Sequence, residues 1–532
     1  MIKRFTAYRY ELSLIIVVLI AHWQLLVIDS ITWDSLLFLN FKLFGDYQTF
    51  QSAIFDTGRR MGYYVTLLLC YLPHTFIWYK LITLASYIVS ALLLYRISLK
   101  ISSQHPSINF LFSCFVFTIP IYTLSFEPIC ITYTLTTLLF YLGCYFYLLL
   151  QKQKFVIAKI AYLTLTLLFL FWSYEVQSYF LYTYIFLFAF FLKAYFETGD
   201  FIKTALQFLY KNIILVIFPV LAFVTWKILF PISGPAKDWG YNQINLNVVD
   251  FIKHFSFSIY KLCIKLPQIT IQLWFSNPIS ALFFTCFSAT CCFILFKSVL
   301  FKNDSRLMLN KKRKTIVLLF MLLALIAAIA PYALVGKDYG AFNRNNRNGL
   351  LLSIPMSLLI LFSVSALVKN MKLNLSIGLL LLTLFITSTN ISYLFWESNA
   401  LRFRKVEQLL RGSIPAFNSN YIIVTEKDYN PMNQFFVFYE YNFLFKYIIN
   451  KETFLVLDEH SKKHESVKAF LEQTKNSKAI FMFKDFDNII SKPVNITLNS
   501  SYTPHLCFEK IVLQYYLSGK SINNYPIEIK VE

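Results

Sequence analysis

The chain has 532 residues, of which 57% are hydrophobic and only 14% are charged. This composition excludes an ordinary soluble domain and indicates a polytopic membrane protein. The formal net charge is +21, yet the last 136 residues are almost balanced, with 17 Lys and Arg against 15 Asp and Glu. The basic excess therefore lies in the hydrophobic part, where cytoplasmic loops and contacts with anionic membrane lipid account for it. We expect no nucleic-acid partner, because no nucleic-acid motif accompanies the charge.

The first apolar run follows a basic start, Lys3, Arg4 and Arg9, and resembles a retained signal anchor with a cytoplasmic N-terminus. Apolar runs of about 20 residues, the length that a bilayer requires, predict about eleven transmembrane helices in the cytoplasmic (inner) membrane. An odd number of crossings places the C-terminal segment outside the cytoplasm, and lysine-rich loops between alternate spans support this alternation. The predicted spans lie near residues 11–29, 76–96, 108–126, 129–150, 155–173, 177–196, 212–230, 279–301, 315–335, 349–368 and 375–396.

Two segments fit a full crossing poorly. Residues 63–75 are apolar but short and contain a proline, which favours an interfacial or re-entrant helix. The long outer connection 231–278 contains apolar residues at helical spacing from Val248 to Leu262, with basic residues between them. This pattern predicts an amphipathic helix on the outer surface.

The chain divides into a transmembrane domain, residues 1–396, and a soluble extracytoplasmic α/β domain, residues 397–532. Outer loops of the first domain are expected at 30–62, 231–278 and 336–348. In the second domain, charges become frequent and short apolar runs predict strands at 421–425, 453–457 and 479–483, with helices at 431–450 and 464–475.

The outer loop 30–62 concentrates acids and arginines. Asp34 and Asp56 are candidates for a catalytic or substrate-binding role, since polar groups at membrane depth are usually functional; alternatively, each caps a loop helix. Arg59 and Arg60 follow Asp56 in the run Asp-Thr-Gly-Arg-Arg. Because basic residues on the outer side oppose the positive-inside tendency, we expect these two to bind an anion such as phosphate rather than only to snorkel.

Further polar residues are predicted at the same outer face. Glu127 and Glu175 lie in tight turns between spans, where burying an isolated charge is costly, so each should face water, an arginine or substrate. Arg344 and Arg347 form a second outer basic group directly before a span, and their guanidinium groups can bind phosphate bidentately. We expect these residues to share one outward-facing polar cavity with the 30–62 loop.

The order of these features resembles that of the GT-C superfamily of membrane glycosyltransferases. Asp34 comes early in the first outer loop and Asp56-Thr57-Gly58-Arg59 late, followed by many spans and an outer C-terminal domain. The likeness is to bacterial enzymes that use polyprenyl-phosphate sugars, such as O-antigen glucosyltransferases and the aminoarabinose transferase of lipid A. It covers mainly residues 1 to about 400. Many members carry paired acids at the loop start, whereas this chain has Asp34 with Asp29 five residues earlier.

The resemblance implies transfer of a sugar from a polyprenyl-phosphate carrier to a hydroxyl or amine on a cell-surface glycan or lipid. Asp34 would act as the general base or orient the acceptor. Arg59, Arg344 or Arg347 would neutralise the departing phosphate. Dependence on a divalent cation, Mg²⁺ or Mn²⁺, is left open, because acids are present but no diagnostic ligand spacing is found.

Three other functions fit parts of the pattern. A polysaccharide polymerase or ligase would use pyrophosphate-linked glycans and favour the 231–278 loop as its site. A lipid-linked sugar flippase or other transporter should carry charges in mid-span and often shows inverted repeats, neither of which is clear in this sequence. A membrane scaffold with an outer interaction domain would need no catalytic or substrate-binding site.

Overall fold

The structure is a computed structural model of the chain. It describes residues 8–28, 35–45, 47–102, 106–233, 237, 242, 244–299, 311–368, 370–413, 421–427, 438–449, 455–458, 494–500, 508–519, 521–523 and 527–531. The predicted catalytic residue Asp34 lies outside the described residues, as do the predicted strand 479–483 and the predicted helix 464–475.

Helices make up most of the described chain. The N-terminal half forms α1 (Arg9–His22), α2 (Gln24–Val27), α3 (Leu36–Phe44), α4 (Tyr47–Phe50), α5 (Arg60–Tyr71), α6 (Thr75–Ile101), α7 (Pro106–Thr118), α8 (Ile131–Leu150), α9 (Val156–Ser173), α10 (Ser178–Thr198) and α11 (Phe201–Leu229). The second half adds α12 (Val248–Tyr260), α13 (Leu266–Ser276), α14 (Pro278–Val299), α15 (Lys311–Ala333), α16 (Ser353–Leu367), α17 (Met371–Ser413), α18 (Phe438–Ile449) and α19 (Glu509–Leu517).

Within the described part, 8 helices are long and apolar enough to cross a membrane. They are α6, the segment Pro128–Leu150 that contains α8, then α9, α10, α11, α14, α15 and α17. The mostly helical character and the long apolar helices that the sequence predicts are therefore confirmed. Three further predicted spans form shorter helices, namely α1 with α2, α7 and α16. The expected number of crossings, about eleven, stays a prediction.

The predicted span 108–126 ends early because Pro120 has no N–H with which to continue the ladder. The carbonyl groups at the break accept hydrogen bonds from distant side chains. Phe117 accepts from His22 Nε2 at 2.6 Å, and Thr118 accepts from Thr389 Oγ1 at 2.6 Å. Irregular backbone at membrane depth is tolerated where protein groups satisfy it, so the bundle core stabilises this break.

The two segments that fitted a crossing poorly are short helices. Residues 63–75 overlap α5, whose 12 residues are too few to span a bilayer. The predicted amphipathic helix is α12, which continues into a π-helical turn, Lys261–Lys265. Its C-terminal part packs on the bundle, since Leu262 is buried, whereas Val248 at the other end is exposed.

The C-terminal region contains a four-stranded sheet with the order β2-β1-β3-β4, formed by β1 (Tyr421–Lys427), β2 (Leu455–Asp458), β3 (Val494–Ser500) and β4 (Ile527–Val531). Strand β1 pairs in parallel with β2 and β3, whereas β4 runs antiparallel to β3. The sequence predicted strands at 421–425 and 453–457 with a helix at 431–450 between them, and the structure confirms this β1–α18–β2 unit. Helix α17 runs without a break through residue 397, the start of the predicted second domain.

The helical bundle has two chemically distinct ends. Helices α6, α8 and α10 end beside one another, where Lys193 Nζ donates to the Lys100 carbonyl at 2.6 Å and the Lys152 side chain is within hydrogen-bonding reach of Lys100. We call this the lysine end. At the opposite end, where these three helices begin, lie the connections that contain Glu127 and Glu175.

Candidate functional site

A tight turn brings the arginines of the first loop to the start of α5. The π-helical segment Gln51–Phe55 is followed by a turn over residues 56–58, and Gly58 adopts a φ of +85°. Glycine suits this position because a side chain would strain the left-handed backbone. Arg59 then occupies the N-cap position of α5, and Arg60 is its first helical residue.

Glu175 binds the first turn of α5 from the connection between α9 and α10. Its carboxylate accepts hydrogen bonds from the backbone N–H groups of Met61, at 2.6 Å, and Gly62, at 3.0 Å. The first N–H groups of a helix have no partner within the helix, and a carboxylate there also interacts favourably with the helix dipole. Glu175 therefore caps a helix that lies more than a hundred residues away in the chain.

Gly62 permits this close approach between α5 and its neighbours. A Cβ atom at this position would overlap Thr132 Oγ1 and lie 3.1 Å from Glu175 Oε1. Only a residue without a side chain fits between the helix and these two groups. The glycine thus has a packing role, which the sequence pattern does not reveal.

Burial raises the pKa of Glu175 from its ordinary value of 4.5 to about 7. The two backbone N–H groups and the positive charges of Arg59 and Arg60 oppose this shift by stabilising the ionised form. Glu175 lies in the connection 174–177, outside the candidate spans. The group therefore changes charge near neutral pH.

Arg60 is a buried cation with unsatisfied hydrogen-bonding capacity. Only 7% of the residue is exposed, and its Nε and Nη1 atoms have no hydrogen-bond partner among the described residues. Its guanidinium carbon lies 3.3 Å from the ring centroid of Phe55 and 5.8 Å from that of Phe230. Aromatic faces stabilise the charge but accept no strong in-plane hydrogen bonds, so the N–H donors on Nε and Nη1 lack an acceptor among the described residues, as a site for an anion would require.

Asp56 connects this turn to the loop after α11. Its carboxylate accepts from Ser233 Oγ at 3.1 Å, and its carbonyl accepts from the Ser233 N–H at 2.9 Å. Asp56 also acts electrostatically on Arg60. The side chain thus has an anchoring contact, while its catalytic role remains a prediction.

Arg59 connects the charged residues around the start of α5 with a second set of polar residues. Its Nη2 donates to the Tyr133 hydroxyl at 3.0 Å, and its guanidinium carbon lies 5.5 Å from the Tyr133 ring centroid. Arg59 and Arg347 both act electrostatically on Cys130 and on Tyr332. The two arginines, from loops far apart in sequence, therefore converge on the same region.

Glu127 belongs to this second group, since it also acts electrostatically on Cys130. It is 1% exposed, and its carboxylate accepts a hydrogen bond from the Ser35 hydroxyl. The Ile129 N–H donates to the same hydroxyl oxygen at 3.4 Å. Ser35 directly follows Asp34 in the chain. The described loop residue that is nearest to Asp34 in sequence therefore contacts Glu127.

The loop that carries Arg344 and Arg347 is fixed by amide side chains. Asn346 is fully buried, its Oδ1 accepts from the N–H groups of Thr123 and Leu124, and its Nδ2 donates to the carbonyls of Ile121 and Ala341. These contacts hold the 3-10 helix Arg344–Gly349 against the break after α7. The side chain of Arg344 lies outside the described part of the chain.

The structure thus brings together Asp56, Arg59, Arg60 and Glu175 around the start of α5. Glu127 and Arg347 lie in the same region, since each acts electrostatically on Cys130, as Arg59 does. Sequence reasoning missed Gly62, Phe55, Tyr133 and Ser35, which position these groups. None has a motif of its own, although Phe55 and Gly62 flank the acid-arginine run closely enough to have been considered with it. No three His, Cys, Asp or Glu side chains among the described residues are close enough to hold a metal ion, and metal dependence remains open.

Comparison with known proteins finds no matching family model, no curated protein and no solved structure with significant similarity to this chain.

Proposed function

We propose that this protein is a membrane glycosyltransferase that moves a sugar from a polyprenyl-phosphate carrier to a glycan or lipid acceptor outside the cytoplasm. The observation that carries the proposal is the Arg60 guanidinium, buried at one end of the bundle with Nε and Nη1 unpaired among the described residues. Such a group fits an anion that supplies in-plane acceptors, and a phosphate ester has both the charge and the geometry.

We infer the orientation from the charges at the two ends of the bundle. The lysine end, with Lys100, Lys152 and Lys193 close together, fits the cytoplasmic face under the positive-inside tendency. The site at the opposite end would then face outward. There it would meet a carrier lipid whose phosphate lies at the membrane surface and whose chain lies in the bilayer.

The acids and arginines fit the two halves of a transfer reaction. A carboxylate would take the proton of the acceptor hydroxyl, whose oxygen then attacks the anomeric carbon of the sugar. The bond from that carbon to the phosphate oxygen breaks, and Arg59, Arg60 and Arg347 would stabilise the charge that develops on the released polyprenyl phosphate. Asp34 is the proposed base, and buried Glu127, bonded to Ser35, lies close enough in the fold to support that loop.

The test uses purified protein in lipid vesicles with labelled polyprenyl-phosphate sugars and a crude envelope-glycan acceptor. We expect covalent transfer of label, with losses of about a hundredfold or more for Asp34→Asn and for Arg60→Met. Arg96→Met is the matched control, because Arg96 is exposed near the lysine end. Wild-type rates for both site variants would refute the assignment.

The same experiment separates the alternatives. A flippase would move the labelled lipid across the vesicle membrane without attaching sugar to the acceptor. A polymerase or ligase would require pyrophosphate-linked glycans and ignore the monophosphate donor. Either result would replace the proposed transfer reaction.

A further inference from the structure

Helix α5 is a short element that packs on the bundle along one face and exposes the other. Its exposed face carries Tyr64, Leu68 and Tyr71, each more than half exposed. With 12 residues, it is also marginal as an isolated helix. The orientation of its first turn therefore depends strongly on the groups that bind that turn.

Glu175 provides the main polar anchor for this turn. Its two oxygens bind the N–H groups of the second and third helical residues, Met61 and Gly62, while the N-cap Arg59 makes no capping hydrogen bond with its own side chain. The two arginines that face the proposed phosphate site come directly before the anchored pair. Any rotation of the turn would change the directions of both guanidinium groups.

Resting on the proposed function, we infer that Glu175 is a positioning residue: its carboxylate holds the first turn of α5 and thereby aims Arg59 and Arg60 at the phosphate of the donor. The sequence left water, an arginine or substrate open as the partner of Glu175, and we assign the carboxylate to the backbone of α5 instead. Both oxygens of this buried carboxylate already bind the protein backbone, whereas Nε and Nη1 of Arg60 have no hydrogen-bond partner among the described residues.

The ionised carboxylate is the stronger anchor, because it accepts from both N–H groups without a competing proton and complements the positive end of the helix. Among the described residues, Arg59 and Arg60 are the charged groups that act on it, and both favour ionisation. Transfer should therefore increase as the pH rises through about 7, the pKa of Glu175.

The central variant is Glu175→Gln, which keeps the size of the side chain but replaces one acceptor oxygen with an amide NH₂. Glu197→Gln is the matched control, because Glu197 lies in α10 at the lysine end and is mostly exposed. We expect Glu175→Gln to lower kcat/KM about tenfold or more, as for a lost hydrogen bond to a charged group, and to remove the rise in activity near neutral pH.

A double-mutant cycle decides whether Glu175 acts through the arginines of the turn. If it does, Glu175→Gln causes a smaller loss in the Arg60→Met background than in the wild-type background, because only Arg59 is left to be misaligned. Additive losses, or a wild-type pH profile in Glu175→Gln, would overturn the inference.

Hydrogen exchange of the segment 56–66, measured without substrate, separates the two proposals. Faster exchange in Glu175→Gln than in Glu197→Gln supports the anchor, and equal exchange overturns it. If wild-type protein transfers no sugar while the exchange difference is present, the proposed function fails and the anchor still stands.

Discussion

Asn277 and Glu509 cap each other's helices across the contact between the helical bundle and the C-terminal region. Asn277 Oδ1 accepts from the N–H groups of Phe508, at 2.9 Å, and Glu509, at 3.0 Å, at the start of α19. In return, Glu509 Oε2 accepts from the N–H of Ser280, at 2.8 Å, in the first turn of α14. Asn277 is completely buried and Glu509 nearly so. This reciprocal contact joins the bundle helix α14 to helix α19 of the C-terminal region.

Asn277→Ala should destabilise the folded protein by ~1–3 kcal/mol, because two buried N–H groups of α19 lose their acceptor. The expected result is a lower thermal midpoint in detergent. Gln272→Ala, at an exposed position of the neighbouring helix α13, is the control and should unfold like wild type. Equal midpoints for the two variants would show that the contact contributes nothing to stability.

Gly62→Ala should impair both folding and transfer, because the added methyl group overlaps Thr132 Oγ1 and crowds Glu175 Oε1. Overpacking of this kind costs ~1–3 kcal/mol. Gly412→Ala is the matched control, since a Cβ at Gly412 meets nothing within 4 Å. The yield of monodisperse protein, its thermal midpoint and its transfer rate are the measurements. If Gly62→Ala has the same yield, thermal midpoint and transfer rate as the wild-type protein, the close packing at the start of α5 is contradicted.

Arg60→Met should separate stability from activity. Removing a buried charge whose Nε and Nη1 are unpaired among the described residues relieves a desolvation penalty, so the thermal midpoint should stay equal or rise. Sugar transfer should fall about a hundredfold, as expected when a charge-stabilising donor is lost. A large drop in the midpoint would mean instead that Arg60 has a mainly structural role, and this outcome would count against phosphate binding.

Asp56→Asn distinguishes an anchoring carboxylate from a catalytic one. Asparagine retains an oxygen that can accept from Ser233 Oγ, so a purely anchoring Asp56 should tolerate this change with less than about a threefold loss of transfer. A catalytic Asp56 should lose about a hundredfold or more. Ser233→Ala serves as the reference, because it removes the same hydrogen bond without touching the acid.

The stability of the wild-type protein should fall as the pH rises from about 5 to about 7. The pKa of Glu175 is raised from 4.5 to about 7, so the folded state binds the proton more tightly than the unfolded state in this window. The stabilisation is fully present below pH 4.5 and is lost as the pH passes 7, a difference on the order of 3 kcal/mol. Thermal midpoints of wild type and Glu175→Gln against pH provide the test. If the midpoints of the two proteins change with pH in parallel, the raised pKa assigned to Glu175 is contradicted.

Much of the fold could be predicted because its signals are local. The apolar runs that became α6, α9, α10 and α14 were placed within a few residues, since a bilayer-length helix needs only consecutive apolar side chains. The run at 108–126 was predicted too long, because hydropathy does not register that Pro120 ends the ladder or that His22 and Thr389 satisfy the freed carbonyls. The strands β3 and β4 were missed, although their apolar residues alternate with polar ones, as expected for a strand with one buried face.

The sequence by itself determined that this is a mostly helical protein with long apolar helices, and it singled out the acids and arginines in the connections between them. Only the tertiary structure decided how those side chains are used. Glu175 and Gly62 are 113 residues apart in the chain, and their hydrogen bond arises because two connections meet at one end of the bundle. Helix formation follows from neighbouring residues, whereas the burial and hydrogen-bond partners of a charged group depend on every segment packed around it.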